Sequence, residues 1–299
     1  MIFQQIQEFI ELESRAGNEV HLLLTEKSQA VTSKHAFLSK LLPEVTIKRI
    51  VAPEPEQLWG PLLQSNTYQD CYFLDSPHDV PFFHIAEVWE KTLGFETPPS
   101  LKTAPRLPAD LPKKSERAIA KFKNKYKKIV GLQLWTDTDA RRSWSPEHAS
   151  RLARLCRTED ILIINLTPHP FGKLEAIPDF GYLALHELFA LIGRLDAIAA
   201  IDSCCGHIAA VLGIPNLTIW SYNSPFHFTT GNFVASSSFR TLRCNYSLYH
   251  ASNDSSKIYP ELVFERLKRI LSGDIALKRE RITAEDTLNG VHIERVEAV

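Results

Sequence analysis

Ala197-Ile198-Ala199-Ala200-Ile201-Asp202-Ser203-Cys204-Cys205-Gly206-His207-Ile208-Ala209-Ala210-Val211-Leu212-Gly213-Ile214-Pro215 is the stretch that decides the fold. Residues 197–201 form a short apolar run, the length of a parallel strand buried on both faces. Residues 207–212 read as a helix, with Gly213 where helices stop and Pro215 just beyond. Residues 217–220 read as the next strand. The unit is strand, small-residue turn, helix, strand. Its turn lies at the carboxyl end of the first strand, where open α/β sheets bind ligands.

The chemistry of that turn is local. Asp202 or Ser203 can cap the helix, and the first turn leaves backbone N–H groups without intrahelical partners. Those donors and the helix dipole favour an anion, typically a phosphate. Ser203 adds a hydroxyl, and a protonated His207 donates a charge-assisted bond. An ordinary capped turn beside a buried histidine has the same spacing, so the residues alone leave both readings open.

Working outward, the second half alternates strands and helices. The pattern predicts a strand at 129–134, a polar loop at 135–144 and a helix to about 156. Ser145-Pro146-Glu147 starts that helix, with a capping Ser and Pro in the first turn. A strand at 161–165 and a helix at 183–192 follow. After the central unit come a late strand at 239–242 and a helix at 259–271, and the pattern places nothing in 273–299. The first half opens on a helix, from the spacing of Phe3, Ile6, Phe9, Ile10 and Leu12. Strands are predicted at 20–24, 45–51 and 71–74, and helices at 36–42 and 84–93. A loop at 53–63 leads toward a further helix. Residues 98–112 carry five prolines and read as connecting chain. Alternation in both halves implies an α/β protein of two Rossmann-like domains, 1–112 and 113–272, followed by a tail at 273–299.

Composition removes several functions. With 34 basic and 35 acidic residues the net charge is −1, which gives no support to nucleic-acid binding. No apolar run approaches the ~20 residues of a membrane span. The amino-terminal stretch lacks the basic and apolar regions of a signal peptide. Five cysteines, an odd number, point to a reducing compartment and a cytoplasmic protein. Cys204-Cys205 reads as two packed thiols, because no second cysteine pair or histidine cluster stands near it to hold a metal. There is no GxGxxG, GxxxxGK[ST], HExxH or GxSxG pattern. Eight of the sixteen residues 113–128 are Lys or Arg. Lys114, Arg117, Lys121, Lys125 and Lys128 fall on one helical stripe, either a solvated face or a patch for anionic membrane or phosphorylated saccharide.

The loop 136–144 is a second candidate site, because it follows a strand and carries Arg141 and Arg142, whose guanidinium groups suit phosphate. Pairing with Asp137 and Asp139 is the plainer use of the same residues. A third candidate is Asp75-Ser76-Pro77-His78-Asp79, at the end of the 71–74 strand.

Residues 202–215 resemble the signature of the bacterial ADP-heptose:lipopolysaccharide heptosyltransferases, glycosyltransferase family 9. There an Asp-Ser/Thr-Gly-x-x-His turn precedes a His-x-Ala-Ala-x-Leu-Gly helix and a Pro. Asp202, Ser203, His207, Ala209, Ala210, Leu212, Gly213 and Pro215 match, and Cys204 replaces the family's Gly. The family's phosphate-binding Lys, two residues before a Trp-Pro, aligns with Arg142 before Trp144, and Ser145-Pro146 replaces the single Pro. Leu134-Trp135-Thr136 stands in place of a Pro-Gly turn, with Thr136 or Thr138 as hydroxyl donor. In 220–225, Pro225 matches a third family segment, while Ser221 and Asn223 replace its Gly and Thr.

The resemblance implies a GT-B fold with a cleft between the two domains. It implies a nucleotide-sugar donor, ADP-heptose, held by Thr136, Thr138, Arg142, Asp202, Ser203, Cys204, Cys205, Gly206 and His207. It also implies a lipopolysaccharide core or other bacterial glycan as acceptor, an inverting transfer and no required metal. The family's catalytic Asp lies in a Gly-Asp loop after the first strand of the amino-terminal domain. No segment here matches it, so that domain is expected to lack its first strand and loop, with Asp75 and His78 as substitute bases. A non-catalytic nucleotide-sugar-binding relative or partner subunit, and a chain whose start lies upstream, are the alternatives.

Overall fold

The computed structural model describes residues 2–26, 42, 45–51, 64, 68, 70, 92–95, 113–136, 140–166, 174, 177–181, 183–221, 226–228, 235–239, 244–277 and 292–296. The predicted strand at 71–74 and the loop at 53–63 lie outside these residues, as do most of the predicted helices at 36–42 and 84–93.

The carboxyl-terminal half is built on a six-stranded sheet. Its strands are β3 (Lys128–Gln133), β4 (Ile161–Asn165), β5 (Ala197–Ile201), β6 (Asn216–Ile219), β9 (Asn245–His250) and β10 (His292–Val296). They lie in the order β4-β3-β5-β6-β9-β10, and every neighbouring pair is parallel. Outside this sheet, β1 (His21–Glu26) pairs in parallel with β2 (Thr46–Val51), after the opening helix α1 (Ile2–Arg15). A short antiparallel pair joins β7 (Phe226–Phe228) to β8 (Ala235–Phe239).

Helices cover both faces of the large sheet because its strands are apolar on both sides. In β5, Ala197, Ala199 and Ile201 face one core, and Ile198 and Ala200 face the other. The first core is closed by α3 (Pro146–Arg157), through Leu152 and Cys156, and by α6 (Pro260–Ser272), through Val263 and Leu267. The second is closed by α2 (Lys113–Lys123), α4 (Leu185–Ile192) and α5 (Cys204–Leu212). It extends to Ile6 and Ile10 of α1. Gly131 of β3 admits a close approach: a Cβ there would stand 2.5 Å from Leu166 Cδ1 and 2.7 Å from Leu195 Cδ1.

Several expectations are corrected. Helix α5 starts at Cys204, three residues before the apolar pattern, and ends as expected at Gly213, whose φ of 70° is left-handed. Of the late strand expected at 239–242, Phe239 closes β8, and 240–242 lie outside the described residues. Strands β9 and β10 escape the pattern altogether. β9 carries buried Asn245 and Ser247, and their polarity hides it. The basic stripe is shorter than predicted: α2 ends at Lys123, and Lys128 opens β3, with Nζ 3.3 Å from Asp196 Oδ1.

Gly131→Ala is expected to overpack β3 against two buried leucines and cost about 1–3 kcal/mol. The check is urea unfolding, read as a lower midpoint at unchanged slope.

Candidate functional site

The chain lays down β3, adds β4 on one side, and returns to add β5 on the other. That reversal is a topological switch point. The loops leaving β3 and β5 diverge to opposite faces, and the crevice between them is where such sheets bind ligands. The two loops are the ones singled out in the sequence, 136–144 and 202–207.

Arg142 joins them. It closes a 3₁₀ turn, Ala140–Arg142, and its Nη2 donates to Asp202 Oδ2 at 3.1 Å and to the Asp202 backbone carbonyl. Both side chains are largely sheltered, at 21% and 15% exposure, so the pair is held more firmly than a surface ion pair. The turn has its own anchors. Trp144 is 1% exposed, its backbone N–H donates to Leu134 O at 2.8 Å, and its Nε1 donates to Ile258 O at 3.0 Å. Ser255 Oγ donates to Ser143 O at 2.8 Å. Ser145 caps α3 by accepting from His148 N at 3.1 Å, as the Ser-Pro-Glu pattern predicts.

Gln133 is a second link, and sequence reasoning missed it. It ends β3 at 3% exposure. Its Oε1 accepts the Cys205 backbone N–H at 3.0 Å, and its Nε2 lies 3.8 Å from Cys204 Sγ. The available signal was one amide at the end of the apolar run Ile129-Val130-Gly131-Leu132. Gln133 thereby takes one of the first-turn donors of α5. Ser203 occupies the N-cap position in extended backbone, but its side chain makes no capping bond. Asp202 is engaged by Arg142, so the expected cap is replaced by contacts from β3 and its loop.

The two thiols diverge. Cys205 is buried and Cys204 is exposed, and both are free. A hydrogen bond from the Cys205 thiol pulls Cys204 down to about 6, aided by Ser203, Gln133 and the Cys205 backbone, against the partial desolvation of a sulfur packed beside those groups although the residue as a whole reaches solvent. Donating that bond, together with burial and the charge of its neighbour, pushes Cys205 well above the usual thiol range. His207 lies half-buried on α5, and Gly206 is buried beside it. Thr136 is buried where the β3 loop begins. Asp75, His78 and Thr138 lie outside the described residues, as do Tyr222, Asn223 and Pro225. Trp220 is core, at 2% exposure. Among the described residues no group of three or more His, Cys, Asp or Glu is placed to hold a metal ion.

The sequence profile of glycosyltransferase family 9 (heptosyltransferase) matches residues 84–238, just over half of the chain. Among solved structures, a family 9 glycosyl transferase from Veillonella parvula is 12% identical at a TM-score of 0.56, over 91% of this chain and 94% of that one. E. coli ADP-heptose lipopolysaccharide heptosyltransferase II is 16% identical at 0.49, over 91% and 82%. E. coli heptosyltransferase WaaC with ADP-2-deoxy-2-fluoro heptose is 14% identical at 0.44, over 88% and 81%. No match is found among curated proteins. The Veillonella likeness carries the GT-B fold, consistent with the parallel sheet and the covering helices.

Gln133→Ala is expected to leave the buried Cys205 N–H unpaired, at a cost of about 1–3 kcal/mol in urea unfolding. It also removes a donor to the Cys204 sulfur, so the Cys204 titration, followed by thiolate absorbance, moves upward from about 6.

Proposed function

Since the chain belongs to glycosyltransferase family 9, the heptosyltransferases, it is a glycosyltransferase, and we propose that it transfers heptose from ADP-heptose to a lipopolysaccharide core or another bacterial glycan. The observation that carries this reading is the Arg142–Asp202 pair across the switch point. It fixes a guanidinium, the best side chain for a diphosphate, over the first turn of a helix. The donor's diphosphate rests against Arg142, Ser203, His207 and the N–H groups near Gly206, with the hydroxyls of Thr136 and Thr138 assigned to the same donor.

The reaction is a single displacement with inversion. The acceptor hydroxyl attacks the anomeric carbon as the bond to the diphosphate breaks, and the leaving oxygen takes the electron pair. Each preorganised donor at that oxygen is worth about 3 kcal/mol of barrier. A general base takes the acceptor proton, a role we assign to Asp75 or His78. The site is cytoplasmic in this reading, with acceptor-side contact at the inner membrane through the basic residues of 113–128. No described helix is long and apolar enough to cross a membrane.

ADP is expected to bind more tightly than GDP or UDP in calorimetry. Arg142→Ala weakens ADP by roughly 10- to 100-fold, the range of a charged hydrogen bond of about 1.5–3 kcal/mol. Equal affinity for the three diphosphates would sink the donor assignment. Loss of ADP release from ADP-heptose in Asp75→Asn or His78→Gln identifies the base, and full rates in both remove the two residues from the mechanism.

The Cys204 thiolate adds a further signature. An arriving diphosphate disfavours the thiolate and raises its titration from about 6. ADP binding at pH 7 therefore takes up protons, and ADP affinity falls as pH rises through 6 toward 8. Binding enthalpies that change with the ionisation enthalpy of the buffer report this uptake, and Cys204→Ser reduces it.

A further inference from the structure

Asp202 holds the tip of the Arg142 side chain, and a second set of bonds holds the backbone that carries it. Both residues after Arg142 are pinned. Ser143 N–H donates to Ala140 O at 3.0 Å, and Ser143 O accepts from Ser255 Oγ at 2.8 Å. Trp144 N–H donates to Leu134 O at 2.8 Å, and its indole Nε1 donates to Ile258 O at 3.0 Å. Ser255 and Ile258 are buried, so water competes poorly for these bonds. Both anchors come from one short segment, 112 and 114 positions further along the chain.

That segment is fixed by contacts of its own. It is a 3₁₀ turn, Ser255–Lys257, capped by Asp254, whose Oδ1 accepts from Ser256 N at 2.9 Å. Ile258 N donates back to Ser255 O at 3.0 Å, and Ile258 packs in the same core as Leu152 and Val263. β9 leads into the turn and α6 leaves it. A guanidinium whose backbone is fixed in advance loses less freedom when it meets a diphosphate, and it meets it in one geometry.

We propose that Ser255 and Trp144 are positioning residues for the donor: they hold the Arg142 backbone where its guanidinium meets the diphosphate, and they act on donor binding through Arg142 alone. Their effect on binding rests on the donor reading above. Structural support and positioning differ in one consequence. Support of the fold alone lowers stability when either bond is lost, and any loss of affinity is then the same whatever residue stands at 142. Positioning makes the loss of affinity depend on the guanidinium, because effects that pass through one group do not add.

The test is a double-mutant cycle on the full chain, read by calorimetry with ADP on variants that circular dichroism shows to be folded. Ser255→Ala and Trp144→Phe are each made alone and together with Arg142→Ala. ADP is raised about a hundredfold where the guanidinium is missing, to reach the weaker binding. With Arg142 present, each variant is expected to weaken ADP by roughly three- to tenfold. With Arg142→Ala, the same change is expected to cost less than about twofold. Ser255→Ala removes a single oxygen, and it decides the matter where the two variants differ or Trp144→Phe does not fold. An equal loss with and without Arg142 assigns these residues to structural support and overturns the proposal. ADP affinity unchanged in the single variants, beside normal binding by the unmutated chain, overturns the positioning and leaves the donor reading standing. Failure of the unmutated chain to bind ADP overturns the donor reading and the positioning with it.

Discussion

The reversal between β3 and β5 is the constraint on which the site depends. The chain leaves β3 for α3, on the face that α6 also covers, and leaves β5 for α5, on the opposite face. Two adjacent parallel strands thus send their loops apart, and the gap at their carboxyl ends cannot be filled by either loop alone. Two side-chain bridges hold the gap to a fixed width. Gln133 reaches from β3 to the start of α5, and Arg142 reaches from the β3 loop to Asp202. The anchoring of Trp144 and Ser143 by the 255–258 segment matters because it holds the loop that carries Arg142.

That arrangement shifts the balance of donors at the turn. Where the family has a Gly, Cys204 brings a side chain to the first residue of α5, and Gln133 takes the N–H of the second. Both changes reduce what the backbone offers an anion. In the proposed donor site side chains therefore carry more of the work, and Arg142, fixed to Asp202, is the best placed of them. Its guanidinium is held to Asp202 through Nη2, which fixes the planar group at the mouth of the switch point. The cysteine pair adds negative charge at the same place, because Cys205 donates its proton's hydrogen bond to Cys204. On the proposed donor reading, a diphosphate at this turn meets a thiol whose titration is already pulled down to about 6.

The parallel αβ alternation from β3 to β6 was legible because strands buried on both faces are continuous apolar runs and the helices carry clear stops. Ser145-Pro146 and Gly213 are local chemistry, and local chemistry reads directly from sequence. Arg142 and Asp202 were each legible as candidates, but their pairing spans sixty positions and is a property of the sheet order. Gln133 was not legible: a single amide after four apolar residues has no pattern. The helix start at Cys204 was hidden for a related reason. Its first turn is fixed by partners from β3, and so it needs neither the apolar spacing nor the capping side chain that mark a helix in sequence.

The unpredicted strands β9 and β10 obey a different rule. Asn245 Nδ2 donates to Asn216 and to Thr218 Oγ1 at 2.6 Å, and its Oδ1 accepts from Ser247 Oγ at 2.7 Å. All four residues are almost fully buried, on the face of β6 and β9 opposite Leu217, Ile219, Tyr246 and Leu248. A slip of one residue between these strands would carry the polar groups into the apolar core and leave them unpaired, so the network pins Asn216 opposite Asn245. On the outer side, Glu294 of β10 accepts from Tyr246 Oη at 2.6 Å and from Arg266 Nε and Nη2 at 2.7 Å, which ties β9, β10 and α6 together. Fixing β9 also fixes where its carboxyl end delivers the turn that contains Ser255, and Ser255 supports Ser143 beside Arg142. The register of a polar strand beyond β6 thus contributes to the position of the guanidinium at the switch point.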